Sequence, residues 1–172
     1  MVDIVIGGCR SGKSAHALGL AESYGTLHKL FIATCRPLDD EMRARIARHR
    51  RERSPDWNVL EVPLDLPEAL RTHAREDRVL LVDCLTLWLT NLIMERDQDD
   101  FLAGRIEALI ACLDHAAGPI VFVANEVGQG IVPENRLARK FRDWAGTLNQ
   151  RVAQKAVRVV WVVAGIPVTI KP

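Results

Sequence analysis

Apolar residues along this chain fall into short runs of two kinds. Val2 to Ile6, His28 to Thr34 (HKLFIAT), Arg78 to Asp83 (RVLLVD), Ile120 to Ala124 (IVFVA) and Val159 to Ala164 (VVWVVA) are near-continuous apolar stretches, mostly rich in β-branched side chains. Such runs read as strands buried on both faces. Trp57 to Val62 (WNVLEV), leading to Pro63, and Val168 to Lys171 read as further strands. Between them, helical spacing or helix-favouring composition predicts helices over Ser14 to Tyr24, Leu38 to Arg53, Leu66 to Glu76, Phe101 to Ala117 and Glu134 to Ala156. Cys35-Arg36-Pro37, Ser54-Pro55-Asp56 and the acidic Gln98 to Asp100 read as breaks. Gly165 to Pro167 is short enough for a hairpin turn, so the last strand is expected to be antiparallel. Alternating strands and helices predict an α/β fold, a mostly parallel sheet covered on both faces. There is no repeat, low-complexity segment or linker, and 172 residues suit a single domain over 1–172.

The first run ends in a motif. Gly7, Gly12, Lys13 and Ser14 fill G-x-x-x-x-G-K-[ST], with Gly8, Cys9, Arg10 and Ser11 between. This is a P-loop: glycines let the backbone wrap around a phosphate, and successive N–H groups point at the anion. Lys13 can reach the β/γ-phosphates and the Ser14 hydroxyl can ligate Mg²⁺. The helix that follows would present its positive end to the same phosphates. The domain is therefore expected to bind nucleotide.

Composition narrows the classes without choosing among them. Hydrophobic residues make up 48% and charged residues 26%, which excludes a disordered chain. The formal net charge is +1, so binding to a polyanion has to be argued from a local patch. Cys9, Cys35, Cys84 and Cys112 are scattered, with no C-x-x-C pair, and fit reduced thiols. The first strand begins at once, without a charged-then-apolar leader, and no apolar run reaches the ~18 residues of a membrane span. A cytoplasmic enzyme is the expectation.

Three further segments carry chemistry. Leu38 to Arg53 opens with Asp39, Asp40 and Glu41 and holds six arginines between Arg43 and Arg53, an order that matches the helix dipole. Met42, Ile46, His49 and Arg53 share one stripe of that helix, so His49 sits among cations on an otherwise apolar face. The arginines can equally form a solvated surface. Asp83 ends an apolar strand, the Walker B position that holds Mg²⁺ directly or through water, or else it caps the next segment, Cys84 to Glu95. Asn125, Glu126, Asn135, Arg136, Arg139 and Arg142 gather polar groups at the sheet edge where open α/β sheets bind ligands. Those arginines suit phosphate clamping, or pair with Glu134 and Asp143 on their own helix.

With GGCRSGKS, LDDEMRARIARHR, LLVDCLT, NEVGQGIVPENRLARKFRDWAGTLNQR and the closing VAGIPVTIK on the page, the chain resembles one family nearly end to end. This is the bifunctional adenosylcobinamide kinase / adenosylcobinamide-phosphate guanylyltransferase of cobalamin assembly. The P-loop alone is unspecific; the EM-x-x-RI-x-x-H and NEVG-x-GIVP-x-NRLAR segments together are not. The resemblance implies a P-loop NTPase of RecA-like fold that assembles as a homotrimer. It implies phosphorylation of the aminopropanol hydroxyl of adenosylcobinamide by ATP or GTP, then transfer of GMP from GTP onto adenosylcobinamide phosphate.

In the family the transfer passes through a guanylylated histidine, which corresponds to His49; the preceding position, often a second histidine, is Arg48. Arg45, Arg48, Arg50 and Arg53 would favour the neutral imidazole that attack on phosphorus requires, and would bind the triphosphate. The resemblance also implies nucleotide contacts from Ile32, Ala33, Thr34, the stretch Arg50, Arg51, Glu52 and Arg53, Glu61 and Asp83. The family often has Glu at position 83. His16, His28, His73 and His115 have no comparable context and read as surface or packing residues. The alternatives are a kinase without guanylyl transfer, and a RecA relative whose arginine helix binds nucleic acid. The near-neutral charge and 5% aromatic content argue against the latter.

Overall fold

In the computed structural model, which describes residues 1–25, 27–36 and 54–172, the apolar runs become strands of one sheet. In chain order the elements are β1 (Val2–Gly7), α1 (Lys13–Glu22), β2 (His28–Ala33), β3 (Trp57–Glu61), α2 (Leu66–His73), β4 (Arg78–Asp83) and α3 (Leu85–Glu95). They continue as α4 (Asp99–Leu113), β5 (Ile120–Asn125), α5 (Arg136–Lys155), β6 (Arg158–Val163) and β7 (Ile166–Lys171). The helix expected over Leu38 to Arg53, and with it His49, lies outside the described residues.

The strands lie in the order β3-β2-β4-β5-β1-β6-β7. All neighbours are parallel except β6 and β7. Period-two alternation sends the side chains of the central strands into two cores. Ile4, Leu80, Val82, Ile120 and Phe122 pack with α2, α3, α4 and α5 on one face. Val5, Val79, Leu81, Val121 and Val123 pack with Ala17 and Ala21 of α1 on the other. This is why the central strands have no polar face. Trp88 of α3 is fully buried, and its Nε1 donates to Leu64 O at 2.8 Å. Tyr24 donates to Asp3 Oδ2 at 2.7 Å; burial first, and this carboxylate second, push its phenol pKa up. Among the described residues no helix is long and apolar enough to cross a membrane.

Several boundaries differ from the sequence reading. Asp99 and Asp100 are the first turn of α4 rather than a break, because carboxylates beside the unsatisfied N–H groups of a helix start stabilise it. Asp99 also accepts from Lys140 Nζ at 2.9 Å and from Trp144 Nε1 at 3.1 Å, tying α4 to α5. α4 ends at Leu113, short of Ala117. α2 ends at His73, where the chain turns through bonds from Ala74 N to Leu70 O (2.8 Å) and Arg78 N to Arg75 O (3.1 Å). α5 starts at Arg136 because Asn135 caps it, its Oδ1 accepting from Ala138 N at 3.0 Å. The final hairpin closes through two residues, Ala164 (φ 50) and Gly165 (φ 83), so β7 starts at Ile166.

Two glycines give opposite expectations. A methyl group at Gly118 would collide with Arg75 O and come within 2.6 Å of Arg78 O, whereas at Gly104, within α4, it would meet nothing. Gly118→Ala should cost about 1–3 kcal/mol, as overpacked sites do. Gly104→Ala should gain about 0.5–1 kcal/mol from the helix preference of alanine. Urea denaturation of the two variants beside the unsubstituted chain measures both signs.

Candidate nucleotide site

The sheet has a switch point at β1. From β1 the chain passes through α1 to β2 on one side, while β5 passes through α5 to β6 on the other. The crevice at the carboxyl ends of β1, β5 and β6 is where such sheets hold ligands, and the P-loop fills its centre. Gly7 pairs with Asn125 on one side and Val162 on the other. A Cβ at Gly7 would lie 2.7 Å from Val162 O, so the loop leaves the sheet at a position only glycine fits.

The loop itself is tightly wound. Ser11 N donates to Gly8 O at 3.3 Å, Arg10 is left-handed at φ 54, and Gly12 stands at φ 92 as the N-cap of α1. Among the described residues no side chain caps α1, which suits its first N–H groups to an anion. Lys13 is buried, and its Nζ bridges the loop to Gly8 O at 3.1 Å. The turn of the β6–β7 hairpin braces the loop from outside through Gly165 N donating to Ser11 O at 2.9 Å. Among the described residues the buried Ser11 Oγ has no hydrogen-bond partner.

Asp83 ends β4 in register with Ala33 and Val123. It does not cap α3: that role belongs to Cys84, whose sulfur accepts from Leu87 N at 3.5 Å. Burial, followed by the Asp83 charge, pushes the Cys84 thiol up to about 12, while the Lys13 ammonium pulls the other way. Lys13 and Asp83 therefore both act electrostatically on Cys84. Ser14 is the second residue of α1, which packs across β4 and β5. A hydroxyl and a carboxylate at these two positions are hard oxygen donors, a set that fits Mg²⁺.

The remaining sequence candidates spread along the same sheet edge. Ile32 is fully buried in the core, while Ala33 closes β2. Thr34 is buried; its hydroxyl donates to Cys84 O and accepts from Cys84 N, both at 2.8 Å. Glu61 ends β3, one of the two edge strands, exposed and in register with Ala33. Four strand steps separate β3 from β1, roughly 19 Å, so Glu61 and the P-loop can meet only the two ends of an extended ligand. Arg50, Arg51, Glu52 and Arg53 lie outside the described residues, as does His49.

The loop after β5 departs from the reading that pairs its arginines with Glu134 and Asp143. Arg139 Nη1 donates to Pro133 O (2.9 Å) and Glu134 O (2.6 Å), and Arg142 Nη2 donates to Gly128 O (2.6 Å). These are backbone carbonyls, so the guanidinium groups shape the loop; among the described residues neither forms an ion pair with the Glu134 or Asp143 carboxylates. Glu126 Oε1 accepts from Gly128 N at 2.5 Å, and Glu126 N donates to Gly7 O at 3.1 Å. A cleft of about 550 Å³ opens here, lined by Gly8 to Ser11, by Glu126, Val127, Gln129 and Gly130, and by Trp161 to Ala164.

Four supporting side chains escaped the sequence reading. Asn91 Nδ2 donates to Thr34 O (2.7 Å) and Pro63 O (2.9 Å), and Thr86 Oγ1 accepts from Asn125 N (2.7 Å). Asn149 Nδ2 donates to Asn125 O at 3.2 Å, and Trp161 walls the cleft. Thr86 and Asn91, polar residues inside the apolar LTLWLTNLIM stretch, were the available signal, because buried polar groups need partners.

Against known proteins, the family described as cobinamide kinase / cobinamide phosphate guanyltransferase matches residues 3–170. The chain is 47% identical to the bifunctional adenosylcobalamin biosynthesis protein CobP of Pseudomonas aeruginosa, over 99% of this chain and 98% of that one. It is 42% identical to the bifunctional adenosylcobalamin biosynthesis protein CobU of Escherichia coli, over 99% of this chain and 100% of that one. Among solved structures, flagellar accessory protein FlaH from Methanocaldococcus jannaschii aligns with TM-score 0.50 at 14% identity, covering 99% of this chain and 77% of that one. RadB recombinase aligns with TM-score 0.50 at 12% identity, covering 93% and 73%. At such identities the two structures speak to the fold alone. The match along nearly the whole length, with a P-loop built as the sequence requires, places this chain in the cobinamide kinase / cobinamide phosphate guanyltransferase family.

Proposed function

We propose that this chain phosphorylates the aminopropanol hydroxyl of adenosylcobinamide with ATP or GTP. It then transfers GMP from GTP to the new phosphate, giving adenosylcobinamide-GDP and pyrophosphate. The observation that carries this reading is the family match over residues 3–170. The braced P-loop, with Lys13 reaching Gly8 O and the first turn of α1 uncapped, supports nucleotide binding through Gly7 to Ser14. One domain serves both reactions, in the cytoplasm.

His49 is the nucleophile of the second reaction. A neutral ring nitrogen attacks the α-phosphorus of GTP, a P–N bond forms, and pyrophosphate leaves with the bridging oxygen. An oxygen of adenosylcobinamide phosphate then attacks the same phosphorus and releases the imidazole, so each displacement returns the ring to its starting form. Arg50, Arg51, Glu52 and Arg53 contact the nucleotide beside it, as do Ile32, Ala33, Thr34 and Glu61 from the strand ends. Ser14 and Asp83 would hold Mg²⁺, which supplies charge neutralisation on the phosphates when bound.

Assembly as a homotrimer belongs to the same reading. It is supported by β7, an edge strand whose Ile166, Val168 and Ile170 are 64%, 44% and 59% exposed. A partner copy would cover that apolar edge. Sedimentation equilibrium should return three times the chain mass, and a monomer mass would remove the trimer.

The decisive experiment incubates the protein with Mg²⁺ and α-labelled GTP, beside His49→Ala, and looks after denaturation for acid-labile, alkali-stable label. The unsubstituted chain should carry it and the variant should not. If neither is labelled while adenosylcobinamide is still phosphorylated, the chain is a kinase alone.

P-loop occupancy has its own readout. Cys9 is exposed within the loop, whereas burial holds the Cys84 thiol up at about 12 and, as the main cause, the Cys112 thiol up at about 11. At pH 8 the two buried thiols stay protonated and shielded. Iodoacetamide should therefore modify Cys9 and spare Cys84 and Cys112, and saturating nucleotide should slow the Cys9 reaction at least about tenfold. Mass spectrometry of the alkylated peptides reads both; an unchanged Cys9 rate would show that nucleotide does not enter the loop.

A further inference from the structure

A carboxylate stands beside the P-loop with no part in the two reactions as described. Glu126 follows β5, the strand next to β1, and its N donates to Gly7 O at 3.1 Å, fixing its backbone to the first residue of the loop. Its side chain is held as well. Oε1 accepts from Gly128 N at 2.5 Å, and Gly128 O is in turn held by Arg142 Nη2 at 2.6 Å. The carboxylate is thus positioned by a loop that a guanidinium on α5 ties down.

The polarity of the P-loop says which end of a nucleotide it would meet. A P-loop lysine reaches the β/γ-phosphates, and the tip of Lys13 stands 3.1 Å from Gly8 O. Gly8 and Glu126 line the same cleft of about 550 Å³. A terminal phosphate held by Lys13 would therefore lie on the side of the loop where Gly8 and Glu126 share this cleft. Asp83 is less well placed for the same task, since β4 is separated from β1 by β5 and Asp83 is the acid suited to the metal. Trp161 and Val127 give the cleft apolar walls, which suits the hydrocarbon part of an alcohol-bearing arm.

We infer that Glu126 is the catalytic residue that orients the acceptor alcohol and takes its proton in the phosphoryl-transfer step. This rests on the kinase reading above. The acceptor oxygen forms its bond to the γ-phosphorus as the bond from that phosphorus to the β–γ bridging oxygen breaks. The nucleoside diphosphate leaves with the electron pair, and the hydroxyl proton passes to the Glu126 carboxylate and from there to solvent. Positioning carries most of such a step, and a carboxylate at the hydroxyl is the recurrent device of phosphoryl-transfer enzymes.

The test is Glu126→Gln, because glutamine keeps an oxygen to accept from Gly128 N and so preserves the loop while removing the base. With γ-labelled ATP and adenosylcobinamide, kcat should fall about 100- to 1,000-fold. The KM for ATP and the thermal midpoint should hold. Phosphorylation within about threefold of the unsubstituted chain would overturn the assignment. So would a loss matched by a raised KM or a lowered midpoint, since that marks a loop-shaping residue only. If the unsubstituted chain does not phosphorylate adenosylcobinamide at all, the kinase reading falls and Glu126 loses this role with it.

Discussion

The site depends on how closely β1 runs between its neighbours. Gly7 is paired on both sides, and the place where a Cβ would stand is 2.7 Å from Val162 O. That crowding forces the chain to leave the sheet abruptly and turn back within five residues into α1. The turn is what directs backbone N–H groups inward. With a side chain at Gly7 the strand would have to move away from β6, and the loop, the hairpin brace and the start of α1 would shift with it. The phosphate cradle is thus a consequence of backbone packing before it is a matter of lysine chemistry.

Polar groups at the sheet edge are tied mainly to backbone. Thr34, Asn91, Thr86 and Asn149 satisfy the carbonyls and N–H groups where β2, β4 and β5 end, and Arg139 and Arg142 do the same in the loop after β5. Each bond is worth about 1 kcal/mol net, and leaving one of these buried groups without a partner costs more than that. Their combined effect is to fix the direction in which each strand end points. A site for an extended nucleotide can be assembled from separate strands only if those ends hold still.

The strands were legible because parallel strands buried on both faces must be apolar throughout, and RVLLVD and IVFVA meet that demand. The P-loop was legible because its residue types follow from the geometry of a phosphate. Element ends were read less well. An acidic pair looks the same in a loop as in a first helical turn, and only the partners of Asp99 on α5 separate the two. Arg139 and Arg142 were read by charge, whereas their backbone acceptors become neighbours only when the loop folds back over α5. Asp83 could be read as metal ligand or cap until Cys84 took the cap.

The contact between Gly165 N and Ser11 O joins the ends of the described chain. Most of a P-loop's shape is local, yet here part of its outer wall comes from more than 150 residues downstream. A nascent chain that has emerged only as far as α5 already carries every glycine and the lysine of the motif, but β1 still lacks one of its two neighbours. Contacts of such sequence separation carry a high loop-closure cost. The outer wall of the P-loop is therefore complete only once the last two strands have joined the sheet, so the far end of the sequence helps set the shape of a loop at its start.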